Sequence, residues 1–139
     1  WILFFALIDF KKLKYNYKAG LAAIIIGSMV DYGGQKLKLY EFYDIIIPWF
    51  NCSAFYKFGP IFTMGVLFAQ YMPRGKWMQA LNIVVCSTLY MMLEISIVRS
   101  GTAQYIHWSY YASYAVDLLT FSALSWFVST FIRSKPETQ

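Results

Sequence analysis

The residues best placed to do chemistry are three carboxylates set in apolar sequence. Glu94 closes the series Asn82, Cys86, Tyr90, Glu94, and Asp117 stands in a second series, Ser109, Ser113, Asp117, Thr120. A step of about four residues returns a side chain to the same side of a helix, so each series is a polar stripe. Asp31 lies toward the end of another apolar stretch, and Arg99 and His107 stand in the short link between the stripes. An isolated carboxylate in hydrocarbon costs at least about 2.5–3.5 kcal/mol to insert, so such groups turn inward and find partners. The stripes are therefore expected to meet. They would form a polar pocket from Glu94, Asp117, Asp31, Tyr90, Ser113 and Arg99 in the outer half of a helix bundle. That pocket suits an ion, a proton, a polar ligand or a lipid headgroup. The same residues also serve as structural glue, with Tyr, Ser and Thr hydroxyls satisfying the acids.

The components of enzymatic chemistry are missing. The sequence has no G-x-S-x-G elbow, P-loop, H-E-x-x-H or G-x-G-x-x-G. His107 is the only histidine and has no carboxylate close in sequence, so a nucleophile–base pair and a zinc site both lack parts. The two cysteines, Cys52 in a loop and Cys86 in an apolar segment, read as free thiols. The expectation is a non-enzymatic protein with no metal and no cofactor.

Composition fixes the solvent. Of 139 residues, 59% are hydrophobic, 21% aromatic and 14% charged. Soluble domains run at about 45–50% apolar and about 25% charged. A domain of about 150 residues buries only about 70% of its unfolded surface, too little to hide this excess from water. The chain therefore reads as an integral membrane protein. Its net charge of +5 sits in short basic runs beside apolar segments, where it sets topology and meets anionic lipid. Nucleic acid is not expected as a partner, because no soluble basic face exists to hold it.

Five apolar segments position the stripes: Trp1–Ile8, Tyr17–Gly34, Gly59–Met72, Trp77–Val98 and Trp108–Ile132. The first is about half of a span, which needs roughly 20 residues, and reads as the exit end of a helix begun before Trp1. A cleaved signal peptide is the alternative, but no small-residue cleavage site follows. Pro60 fits an early helical position of the third segment, which is short for a span. Lys11, Lys12, Lys14, Lys18, Arg74, Lys76, Arg133 and Lys135 fall in the odd loops and the tail. They outnumber Lys36, Lys38, Lys57 and Arg99 in the even loops. The positive-inside rule then places the N-terminus outside and the C-terminus inside the cytoplasmic membrane. Tyr15, Tyr17, Tyr71, Trp77 and Phe131 fall at the inner interface. Tyr32, Tyr40, Trp49, Tyr56, Tyr105, Trp108 and Tyr110 fall at the outer one, the expected pair of aromatic belts.

The predicted architecture is an all-α integral membrane bundle of five transmembrane helices in a single domain. Residues 35–58 form an aromatic outer segment and residues 133–139 a cytoplasmic tail. That outer segment, with Tyr40, Phe42, Tyr43, Ile45 to Ile47, Pro48, Trp49 and Phe50, is too apolar to float and too interrupted to span. It either lies in the interface or packs as a lid over the helix ends. Gly20, Ala23 and Gly27 make a small-residue face that permits close backbone approach. It packs within the chain or against a second copy, and Trp49 is a further interface candidate. Gln70 is expected to hydrogen-bond to a neighbouring helix.

From Phe58 to Trp126 the chain resembles a group of small multi-spanning membrane proteins of bacilli and clostridia, to which no activity is assigned. Pro60, the Val66-Leu67-Phe68 run, Tyr71 with Pro73, Glu94, and Tyr105 followed by Trp108 carry the likeness. The resemblance implies a helical protein of the cytoplasmic membrane. The functional expectation is a non-catalytic module that binds a partner membrane protein or lipid. The alternative is a small transporter or ion-conducting subunit using Glu94 and Asp117.

Overall fold

Asp9 breaks the first apolar run and starts the next helix. Its carboxylate accepts from the Lys11 N–H at 2.9 Å, filling a donor that a helix start leaves over. Before it lies α1 (Ile2–Leu7) and after it α2 (Phe10–Lys36). A computed structural model describes residues 2–43, 48–49, 52–53 and 57–133, with the side chains of Leu3, Pro48, Trp49, Cys52 and Ser53 excepted. The expectations for Trp1, Ile45 to Ile47, the Trp49 side chain, Phe50, Tyr56 and the tail beyond Arg133 lie outside the described residues.

The fold is mostly helical. Beyond α2 come the short strands β1 (Tyr40–Phe42), β2 (Pro48–Trp49) and β3 (Cys52–Ser53), the last two paired with each other. A π-helical turn, Lys57–Ile61, leads into α3 (Phe62–Tyr71). Pro60 has no N–H to give the ladder, and the Thr63 hydroxyl bonds the Gly59 carbonyl at 2.8 Å there. Then follow α4 (Lys76–Arg99), β4 (Ala103–Tyr105) and α5 (Tyr110–Phe127), which a second π-helical turn, Val128–Ile132, prolongs. Ser109 caps α5, accepting from the Ala112 N–H at 3.3 Å, so it leaves its stripe.

The tightest packing is the crossing of α2 and α3. A methyl group on Gly65 would stand 2.7 Å from the Ala23 methyl, 2.9 Å from the Ala19 carbonyl oxygen and 3.0 Å from the Gly20 Cα. The two backbones therefore touch, as small residues permit. Phe62 and Val66 close over Gly20, and Ile61 faces Gly27. The Gly20, Ala23, Gly27 face is thus packed by the chain's own α3 and the turn before it. Beside it Phe68, Met72, Phe121, Leu124 and Val128 form the core.

Among the described residues two helices are long and apolar enough to cross a membrane: α4, and α5 with its π-helical extension over Tyr110–Ile132. At 1.5 Å per residue, α3 spans about 15 Å, against a hydrocarbon core of about 30 Å. The helix α2 is long enough, but Lys11, Lys12, Lys14 and Lys18 load its first half with charge. Length and composition therefore carry two crossings, and the expected five are not all supported.

Hydrogen bonds join the start of α2 to the end of α3, and the link after α3 to the end of the last helix. Gln70 accepts from the Asp9 N–H at 2.9 Å and donates to the Leu7 carbonyl at 2.8 Å. Arg133 donates to the carbonyls of Met72 and Pro73. Burial, and then the charge of Arg74, hold the Arg133 guanidinium below its ordinary pKa. At the other end the N–H groups of Ile106 and His107 both donate to the Leu39 carbonyl. There β1 pairs antiparallel with β4, Tyr40 opposite Tyr105 and Phe42 opposite Ala103. Tyr40–Phe42 is thus held against the link between the last two long helices.

Candidate functional site

Under the β1–β4 ribbon lies a cavity of about 80 Å³ between α2, α4 and α5. Glu94, Asp117, Asp31, Tyr90 and Ser113 all line it, with Thr120 at its floor. The helical spacing is the cause: Tyr90 and Glu94 are one turn apart on α4, as are Ser113 and Asp117 on α5. Cross-bonds hold the two helices in register, among them Thr88 Oγ1 to Tyr114 Oη at 3.2 Å. Asn82 and Cys86, lower on the α4 stripe, contact each other at 3.8 Å. Cys86 is a free thiol.

Arg99 is not part of the pocket, contrary to expectation. It ends α4 with its side chain exposed. A cation in the last turn of a helix is favoured by the terminal carbonyls, and water is available there. His107 is likewise exposed, with Nδ1 at 3.5 Å from the Lys38 carbonyl.

The three carboxylates have different surroundings. Asp31 is closed: Lys57 pairs with one oxygen, and the Tyr40 hydroxyl donates to the other at 3.1 Å. Glu94 is half satisfied. Its Oε1 accepts from the hydroxyls of Tyr105 and Ser113, each at 2.6 Å, while its buried Oε2 meets no donor among the described residues. Asp117 is 8% exposed, and its Oδ2 is buried and also without a donor among the described residues. Burial, and then the Glu94 hydrogen bond, raise the Tyr105 phenol above its ordinary pKa, so it stays a donor.

Four contributors escaped the sequence reading. Tyr40, Tyr105 and Trp108 read only as belt aromatics, yet they form the pocket's roof, with the Tyr40 and Trp108 rings edge to face at 6.2 Å. A methyl group on Gly34 would meet the Tyr40 ring at 2.5 Å, so glycine makes the room in which that ring sits. Lys57 read as an outer-loop lysine. It has no exposed surface at all, and no local signal distinguishes it from the other loop lysines.

Below Thr120 the lining turns apolar. A smaller cavity of about 40 Å³ shares Gly27, Tyr90, Asp117 and Thr120 with the first and is otherwise lined by apolar residues of α2, α3 and α5, Phe121 and Leu124 among them. Among the described residues no three His, Cys, Asp or Glu side chains gather as a metal-holding group. Compared with known proteins, the chain matches no family model, no curated protein and no solved structure.

Proposed function

We propose that this chain is a small multi-pass protein of the cytoplasmic membrane, N-terminus outside and C-terminus inside, which binds a small polar guest without catalysis. The observation that carries this reading is a polar pocket with two incompletely satisfied carboxylates, closed below by apolar side chains. Buried polar groups nearly always find partners, so two acids that line one cavity, each with an oxygen left without a donor among the described residues, ask for a guest. The clustering of Lys11, Lys12, Lys14, Arg74, Lys76 and Arg133 toward one end supports the orientation.

Charge selects the class of guest. A phosphate-bearing headgroup would meet two carboxylates and be repelled, so the pocket is not a socket for anionic lipid. A conduit would need polar lining to continue past Thr120, where Phe121, Leu124, Val128 and Phe68 stand packed instead. Native mass spectrometry of the protein released from detergent tests the reading. Wild type should keep a noncovalent guest that Ala103→Leu, which fills the roof of the pocket, loses. No guest, together with cation flux in vesicles that Glu94→Gln abolishes, would favour the conduit and sink the binding module.

A further inference from the structure

The nature of the guest follows from the atoms that would touch it, and this step rests on the binding reading just given. We infer that the pocket holds one partly hydrated divalent cation of the hard, oxygen-liganded kind between Glu94 and Asp117.

The donor set is oxygen alone. The lining contains carboxylates and the hydroxyls of Ser113, Thr120, Tyr90 and Tyr105, with no imidazole or sulfur. Such a set suits magnesium or calcium and disfavours zinc and copper. Asp117, more than nine-tenths buried, lines this space and carries an oxygen without a donor among the described residues. Glu94 is pre-positioned: Tyr105 and Ser113 fix one oxygen at 2.6 Å each and leave the other for a ligand. A ligand oxygen already held in place loses little freedom on binding.

The charge count points to a double charge. Lys57 is taken by Asp31, and Arg99 is outside. Glu94 and Asp117 are then two carboxylates with no described cation against them. One divalent ion balances both once they are ionised, because a metal ion releases the protons of the ligands it binds. The volume of about 80 Å³ also admits a handful of water-sized ligands at roughly 15 Å³ each. Magnesium commonly binds in this way, through one or two carboxylates with several waters retained. With only two acidic ligands the ion is exchangeable, and binding belongs in the millimolar range.

The experiment uses the full chain in detergent, stripped with a chelator, and titrates magnesium chloride and calcium chloride while following thermal unfolding and heat of binding. Either salt should raise the unfolding temperature saturably, and sodium chloride at equal ionic strength should not. Glu94→Gln and Asp117→Asn should each weaken the effect by at least about tenfold. Glu41→Gln, at an exposed carboxylate on β1, should leave it unchanged. No saturable response in wild type, a response that sodium reproduces, or one that survives in both pocket variants overturns the inference. A different guest, seen by mass in wild type and lost in Ala103→Leu, also overturns it but leaves the binding reading standing. Absence of both a cation response and any guest overturns the two together.

Discussion

Lys57 and Asp31 form an ion pair near the C-terminal end of α2, and the lysine side chain has no surface exposed to solvent. The pair joins the π-helical turn before α3 to the rim of the carboxylate pocket. It also removes Asp31 from the set of acids that need a partner. A buried charge is tolerated only when it is paired and hydrogen-bonded, and here Tyr40 supplies the additional bond to Asp31 at 3.1 Å.

Breaking this pair from one side should be costly. Lys57→Met or Asp31→Asn alone leaves its partner buried and uncompensated, a loss of about 3–5 kcal/mol. The double variant removes both charges together and should recover most of that loss. Denaturant unfolding in mixed micelles measures the three values. If the double variant costs the full sum of the singles, the two groups are not coupled.

The α2–α3 crossing makes a second prediction from two glycines. Gly65→Ala drives a methyl group against the backbone of α2 and should destabilise by about 1–3 kcal/mol. Gly33, within α2, has nothing within 4 Å of a Cβ. Gly33→Ala should instead be neutral or stabilise by up to about 1 kcal/mol, the helix-propensity gain. Thermal unfolding of the two variants side by side checks the opposite signs.

The two glycines also mark what sequence alone conveyed. A stripe at four-residue spacing is a property of one helix, so Tyr90, Glu94, Ser113 and Asp117 declared their shared side without knowledge of the rest. The partners that complete the site come from elsewhere in the chain. Tyr105 reaches Glu94 through a three-residue strand whose partner, β1, lies more than 60 residues away in sequence, and strands that short carry no periodicity. Gly65 is one small residue in an apolar run until α2 lies across it. Arg99 was misplaced because nearness in sequence says nothing about direction, and at a helix end water competes with the pocket. The count of crossings is not supported at α3, because a short apolar run resembles part of a span without having its length.

Tyr105 gives the pH prediction. Its phenol is raised above the ordinary value of about 10 by burial and by donating to Glu94. A group whose folded pKa exceeds its unfolded pKa contributes fully below the unfolded value and loses that contribution as the pH climbs past it. The Tyr105–Glu94 contribution should thus be complete at neutral pH and decline above about pH 10. Tyr105→Phe should cost about 1.5–3 kcal/mol at neutral pH, the worth of a hydrogen bond to a charged acceptor. Its deficit relative to wild type should shrink in alkali. A deficit that stays constant across that window would show that the hydroxyl does not donate to Glu94.

The membrane reading is tested on the bare side of α4. Leu89 is 53% exposed and lies in the middle of a helix that is long and apolar enough to cross. In lipid this side faces hydrocarbon, and Leu89→Asp should cost about 2.5–3.5 kcal/mol of insertion free energy. In water the same exposed change would fall within about 0.5 kcal/mol of wild type. Ser96 is exposed near the end of the same helix. Ser96→Asp should be mild in either solvent, because its charge reaches the headgroup region. The fraction of newly made chain that resists alkaline extraction from membranes separates these cases. A marked loss for Leu89→Asp with little change for Ser96→Asp places α4 across the bilayer, and equal behaviour of the two removes that helix from it.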